Sequence, residues 1–269
     1  MQQLKHLKIA LFLGLLGLLA GAFVVPFQLE SLKNTLTAAE YAKMMDAFPF
    51  PLPVMIIIAS LQIGVLTTIV SWIGLKLTER TGLTLPLLRA WIAEKKKPVI
   101  DLAALKLALI GGAIGSFFMI LTDLFLFQPH MPKLGNSEGA VWWKATLAGV
   151  LYGGIVEEVL MRLFLMTLIV WLLSFIFKKS NETIPSSFYW IGIILAALLF
   201  SAGHLPATEA LYGELNNIII ARAFVLNGVL AVFFGYLFWK KGLEYAMIAH
   251  MMLHVVTQLV LLPLIKLIS

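Results

Sequence analysis

The stretch GGIVEEVLMRLFL, Gly153 to Leu165, decides how this chain is read. Its apolar residues suit a helix in lipid, yet Glu157, Glu158 and Arg162 put three formal charges inside it. An ionisable side chain at membrane depth costs several kcal/mol and marks function by default. On a helix, positions i and i+4 share a face, so Glu158 and Arg162 are placed to neutralise one another. Glu157 is turned about 100° away. It has no partner in its own helix and must find one elsewhere or take up a proton. A carboxylate held in that balance suits general-base chemistry. The other reading of the trio is a salt-bridge knot that fixes helix packing.

Working outward, the whole chain reads as an integral membrane protein. Of 269 residues 61% are hydrophobic and only 13% charged, with a mean hydropathy of +0.95, whereas soluble domains carry about 25% charged residues. There is no cysteine, which excludes disulfides, thiolate zinc sites and cysteine nucleophiles. The net charge of +6 follows membrane topology better than nucleic-acid binding, because no basic stripe interleaved with aromatics lies outside the loops. Crossing the hydrocarbon takes about 20 apolar residues. Seven stretches qualify, at 8–28, 53–75, 102–127, 145–177, 188–204, 218–239 and 244–264. The expected architecture is all-α, with about seven transmembrane helices, or eight, around a polar intramembrane cavity. A single membrane domain covers 1–269. The fourth stretch is too long for one straight span at about 1.5 Å per residue. It is expected to tilt, break or split, with Gly153 and Gly154 as its weak point.

Lys and Arg gather in alternate loops. Lys5 and Lys8 precede the first stretch; Lys76, Arg80, Arg89, Lys95, Lys96 and Lys97 follow the second; Lys178 and Lys179 follow the fourth; Lys240 and Lys241 follow the sixth. The other side holds Lys33, Lys43, Lys133, Lys144 and Lys266. By the positive-inside rule the N-terminus is expected in the cytoplasm of a multi-pass cell-membrane protein. The loop 29–52 is expected to hold a short amphipathic helix ended by Pro49, Pro51 and Pro53. That loop and the basic 77–101 loop are read mainly as solvated connectors, the latter suited to anionic headgroups.

Two further polar islands follow the first. FSAGH places Phe200 and His204 at i and i+4, with Pro206 expected to end the helix so that His204 faces a cavity. AMIAHMMLHVV places His250 and His254 at the same spacing, able to bind a metal or present two hydrogen-bond donors. Interhelical hydrogen bonding is the plainer reading of either island alone. Three islands in the late segments, with none in the first 100 residues, point to one buried polar site. Gly228 and Gly235 would let helices pack closely, and Asn227 and Arg222 are candidates to support the site. Lys106 and Asp123 lie near helix ends and call for no special role.

These residues resemble a known family. EEVLMR (Glu157 to Arg162) is similar to the EExxxR motif of the CAAX protease and bacteriocin-processing (CPBP, Abi) family. FSAGH is similar to its FxxxH motif, and the run ending in His250 and His254 to its HxxxN or HxxxD motif. The resemblance covers roughly 141–262, the implied catalytic core; the first 140 residues add little beyond membrane helices. It implies a glutamate-dependent intramembrane endopeptidase, related to the Ras-converting CAAX endopeptidases. Its partners would be the bilayer and a membrane-associated or prenylated peptide or protein, with no nucleic acid. By the same resemblance Glu157 is the general base, His204 its assistant and His250 an oxyanion donor, with His254 in place of the family's Asn or Asp. Glu158, Arg162, Phe200 and Asn227 support them, and all three charges of the opening stretch are expected to face the cavity. No cofactor is expected. A zinc enzyme using Glu157, His204, His250 and His254, and a non-catalytic scaffold or regulator on the same fold, are the alternatives. With the N-terminus inside, the site falls in the outer half of the bilayer, whereas cytosolic prenylated substrates require an inward-facing one.

Overall fold

The computed structural model describes residues 2–132 and 142–268, so Lys133 of the charge pattern lies outside the described residues. Among the described residues seven helices are long and apolar enough to cross a membrane: α1 (Gln2–Asn34), α3 (Leu52–Thr81), α4 (Leu102–His130), α5 (Trp142–Ile176), α6 (Ser186–Tyr212), α7 (Asn217–Lys241) and α8 (Leu243–Leu267). Between α1 and α3 sits a short surface helix, α2 (Ala38–Asp46). The fold is all-helical and polytopic, as composition and hydropathy implied.

Small residues set the packing. Along α1, Gly14, Gly17 and Gly21 lie against Thr68, Thr67 and Ser60 of α3. Gly74 of α3 lies against the Leu163 backbone of α5, and Gly112 of α4 against Ala249 of α8. Gly235 of α7 lies against Ile193 of α6, and Gly228 against Ser201, as their spacing implied. Without hydrophobic driving force between helices in lipid, such close backbone approach is a main source of association. A Cβ at Gly21 would come within 2.6 Å of the Ser60 Cα. Gly21→Ala is therefore expected to destabilise the α1–α3 pair by about 1–3 kcal/mol, the usual cost of overpacking; an unchanged unfolding midpoint in detergent would refute the contact. The result is a bundle in which α5 lies between α1 and α3 on one side and α6 and α8 on the other, while α8 also packs on α4 and α7.

The fourth span neither breaks nor splits. Its 35 residues form one continuous helix, wound with wide i→i+5 turns over Gly149–Glu157 and Val159–Met166. A wider turn rises less per residue, which takes up the excess length. Such turns are rare and recur at functional sites. Here Thr167 Oγ1 reaches back five residues to the Arg162 carbonyl at 3.0 Å.

Two connections differ from expectation. Residues 82–101 are not a free loop. Leu83 and Leu85 are buried, Leu243 N–H donates to Thr84 O at 3.1 Å, and Leu88 N–H donates to the Glu244 carboxylate at 2.7 Å. Buried Glu244 went unremarked in the sequence because it adjoins a run of lysines. Asp101 caps α4 by accepting from Ala104 N–H at 2.9 Å; that bond, with Lys241 nearby, holds its carboxyl below the usual range. In the other loop α2 forms, with a Thr37–Glu40 capping box. It ends before Pro49, and Pro51 and Pro53 instead start α3, because proline tolerates the first helical turn and not the interior.

Candidate active site

Glu157, Phe200, His204, Asn227, His250 and His254 converge on one cavity of about 250 Å³. It lies in the half of the bundle remote from the end that carries Lys5, Arg89 and Lys241. Four helices supply these side chains, and each is positioned by local chemistry.

On α6 the helix breaks at His204: one segment ends at Gly203, and a second, Leu205–Tyr212, begins there. As expected, the first segment ends ahead of Pro206 with His204 at its terminus; Pro206 itself occupies the first turn of the second segment. The break exposes the Phe200 carbonyl, which takes a hydrogen bond from His204 Nδ1 at 2.9 Å. With Nδ1–H committed to a carbonyl, the neutral ring has its lone pair on Nε2. That Nε2 faces Glu157 Oε1 at 4.0 Å. The Phe200 ring meets the His204 imidazole edge-on, 4.5 Å between centroids.

The other carboxylate oxygen, Glu157 Oε2, faces His250 Nε2 at 3.9 Å. Both separations exceed a hydrogen bond. Both also match the span that one bridging water closes.

Glu158 and Arg162 do not line the cavity, contrary to expectation. They lie behind it, 0% and 2% exposed, with Arg162 Nη1 at 3.0 Å from Glu158 Oε1. Arg162 Nη2 also donates to Ala231 O of α7 at 3.1 Å, and the guanidinium sits beside the rings of Phe200 and Phe234 at 5.1 and 5.5 Å. Glu158 Oε1 accepts from His250 Nδ1 at 2.8 Å. This last bond was not legible in the sequence, where Glu158 has an evident partner one turn away. The imidazole of His250 is further clamped by stacking on Phe234, centroids 4.6 Å apart.

His254 stacks on His250 at 5.1 Å, interplanar angle 19°. Its ring is seated on bare backbone of α5: a Cβ at Gly153 would lie 2.6 Å from its Nε2 and 3.4 Å from that of His250, and a Cβ at Gly149 would overlap the ring. So Gly153 and Gly149 make the room that an imidazole needs where the family motif has a smaller amide or acid. Asn227 lines the cavity and donates to Ala223 O at 2.9 Å. Among the described residues no group of three His, Asp or Glu side chains converges closely enough to hold a metal ion.

Residues 139–256 match the family model of Rce1-like type II CAAX prenyl endopeptidases. The matched segment spans α5, α6, α7 and most of α8, and contains every ionisable group lining the cavity. A comparison with curated proteins found no match, and one with solved structures found none. The match supports a protease function embedded in the membrane. It does not extend to α1 and α4, yet Val24, Phe27 and Gln28 of α1 and Met119 of α4 wall the same cavity. The first 140 residues therefore do more than anchor. A polar Gln28 near the end of the first apolar run was the one available signal. Arg222, considered as support for the site, instead holds Asp123 of α4 through two hydrogen bonds of 2.5 and 2.9 Å.

Proposed function

We propose that the protein is a glutamate-dependent intramembrane endopeptidase that hydrolyses a peptide bond in a membrane-associated or prenylated chain. The observation that carries this reading is Glu157, poised between two imidazole nitrogens at 4.0 and 3.9 Å in a walled cavity. A water held between Glu157 and His204 Nε2 gives its proton to the carboxylate as its oxygen attacks the substrate carbonyl carbon. The carbonyl oxygen becomes an oxyanion, met by an N–H of His254. The His250 ring, its Nδ1–H given to Glu158 Oε1, turns Nε2 toward Glu157 and helps hold the water there. Collapse breaks the C–N bond, and the proton on Glu157 passes to the departing amine. Preorganised donors aimed at developing charge supply the largest share of such catalysis.

No step requires an ion. Purified protein presented with a membrane-peptide library is expected to cleave equally with and without a strong chelator, products being read by mass spectrometry. Loss of cleavage in chelator, restored by zinc, would replace this mechanism with a metal-assisted one.

A further inference from the structure

At the far end of the bundle from the cavity, the first turns of α1 and the short wide-turn helix Arg89–Ala93 enclose a second, polar cleft. It has room for about 60 Å³ and is lined by Gln2, Lys5, His6, Ile9, Arg89, Ala93 and Glu94. One water needs about 10–15 Å³ of such space, so the cleft has room for a group the size of a small oxyanion. Two of its lining residues carry a buried nitrogen without a hydrogen-bond partner among the described residues, Arg89 Nε and His6 Nδ1, and His6 is only 3% exposed. Orphaned buried polar groups of this kind cost free energy unless a ligand meets them.

The local charges favour an anion. The two nearby carboxylates are engaged: Glu79 accepts from Gln2 at 2.8 Å and faces His6 Nε2 at 3.1 Å, and Glu94 pairs with Lys96 at 3.0 Å. Neither Lys5 nor Arg89 is in a contact ion pair among the described residues; Arg89 spends one nitrogen, Nη2, on Thr78 Oγ1 at 2.8 Å. The surroundings are those of a membrane interface. Trp91, on the helix that walls the cleft, is 56% exposed and meets Phe12 of α1 edge-on at 5.4 Å, while Leu4, Leu7 and Leu11 of the same α1 stand exposed. Lys95, Lys96 and Lys97 follow at once. An exposed indole beside a lysine cluster marks headgroup depth.

We infer that this cleft binds the phosphate of an anionic phospholipid, with Arg89 and Lys5 as its cationic contacts and the acyl chains running along the exposed leucines of α1. The inference stands whether or not the distant cavity is a protease site. Its test uses the full chain in mild detergent, with phosphatidylglycerol, phosphatidylcholine and inorganic phosphate as probes, read by native mass spectrometry and thermal unfolding. Phosphatidylglycerol is expected to bind and raise the midpoint. Arg89→Gln and Lys5→Gln should each weaken it about tenfold, the worth of one charged hydrogen bond. Glu94→Gln should tighten it, by removing the nearest negative charge and freeing Lys96. Lys97→Gln, outside the cleft, should change little. Equal stabilisation by inorganic phosphate would overturn the lipid assignment. Equal weakening by Lys97→Gln would reduce the effect to diffuse attraction, and weakening by Glu94→Gln would mean that the cleft takes a cation instead.

Discussion

Glu157→Gln is expected to lower peptide hydrolysis by about 10²–10⁴-fold, the span that a positioned general base contributes, with the fold intact. The amide keeps the size and the hydrogen-bonding reach of the carboxylate but cannot take a proton from water. Among the described residues no hydrogen bond to Glu157 holds the bundle together: its nearest ionisable partners are His204 and His250, at 4.0 and 3.9 Å, beyond direct hydrogen bonding. Stability and activity should therefore separate cleanly at this position. The measurement is single-turnover cleavage of a library-derived peptide by wild type and variant, beside their unfolding midpoints. A Glu157→Gln protein that still cleaved at the wild-type rate would end the proposed mechanism, and one that restored the wild-type phenotype in cells would favour a non-catalytic role.

Arg162 should behave in the opposite way. Arg162→Met removes the guanidinium from a fully buried carboxylate and is expected to cost about 3–5 kcal/mol of stability, because the charge left behind is uncompensated. The loss should reach beyond the pair, since Arg162 also holds the Ala231 carbonyl and Glu158 also orients His250. The double variant Glu158→Gln, Arg162→Met should recover most of that stability, because a buried ion pair replaced as a whole is often neutral. It should not recover activity, since the neutral amide put in place of the Glu158 carboxylate is a weaker acceptor for His250 Nδ1–H, the bond that sets the ring. Denaturant titration of the single and double variants checks the first part. An Arg162→Met protein as stable as wild type would show that the pair is not the closed, dry contact described.

The spans, their number and the three polar islands were legible because each rests on strong local physics: hydropathy over about 20 residues, and the i, i+4 face of a helix. The island residues do meet. What the sequence hid is of two kinds. One is winding: Gly153 and Gly154 mark GVLYGGIVE as a weak point, but hydropathy is the same whichever way the turns are wound, so nothing in it announces i→i+5 turns. The other is partnership across the chain. Glu158 pairs with Arg162 nearby and with His250 across the bundle, and only the first is visible in a linear pattern. In the same way Asp123 looked like an unremarkable residue near a helix end and Arg222 like a support for the site, and they became a pair only once α4 and α7 were side by side. The 82–101 segment was misjudged because its lysines dominate its composition, while Leu83 and Leu85 do the packing.

The cavity walls have a consequence for how such a protein can diversify. The ionisable groups come from α5, α6 and α8, whereas Val24, Phe27, Gln28 and Met119 on α1 and α4 contribute only shape and one amide. On the proposed function, changes in those two helices would alter which chain is admitted while leaving the carboxylate and the imidazoles in place. Choice of substrate and chemistry would then rest on separate stretches of one polypeptide.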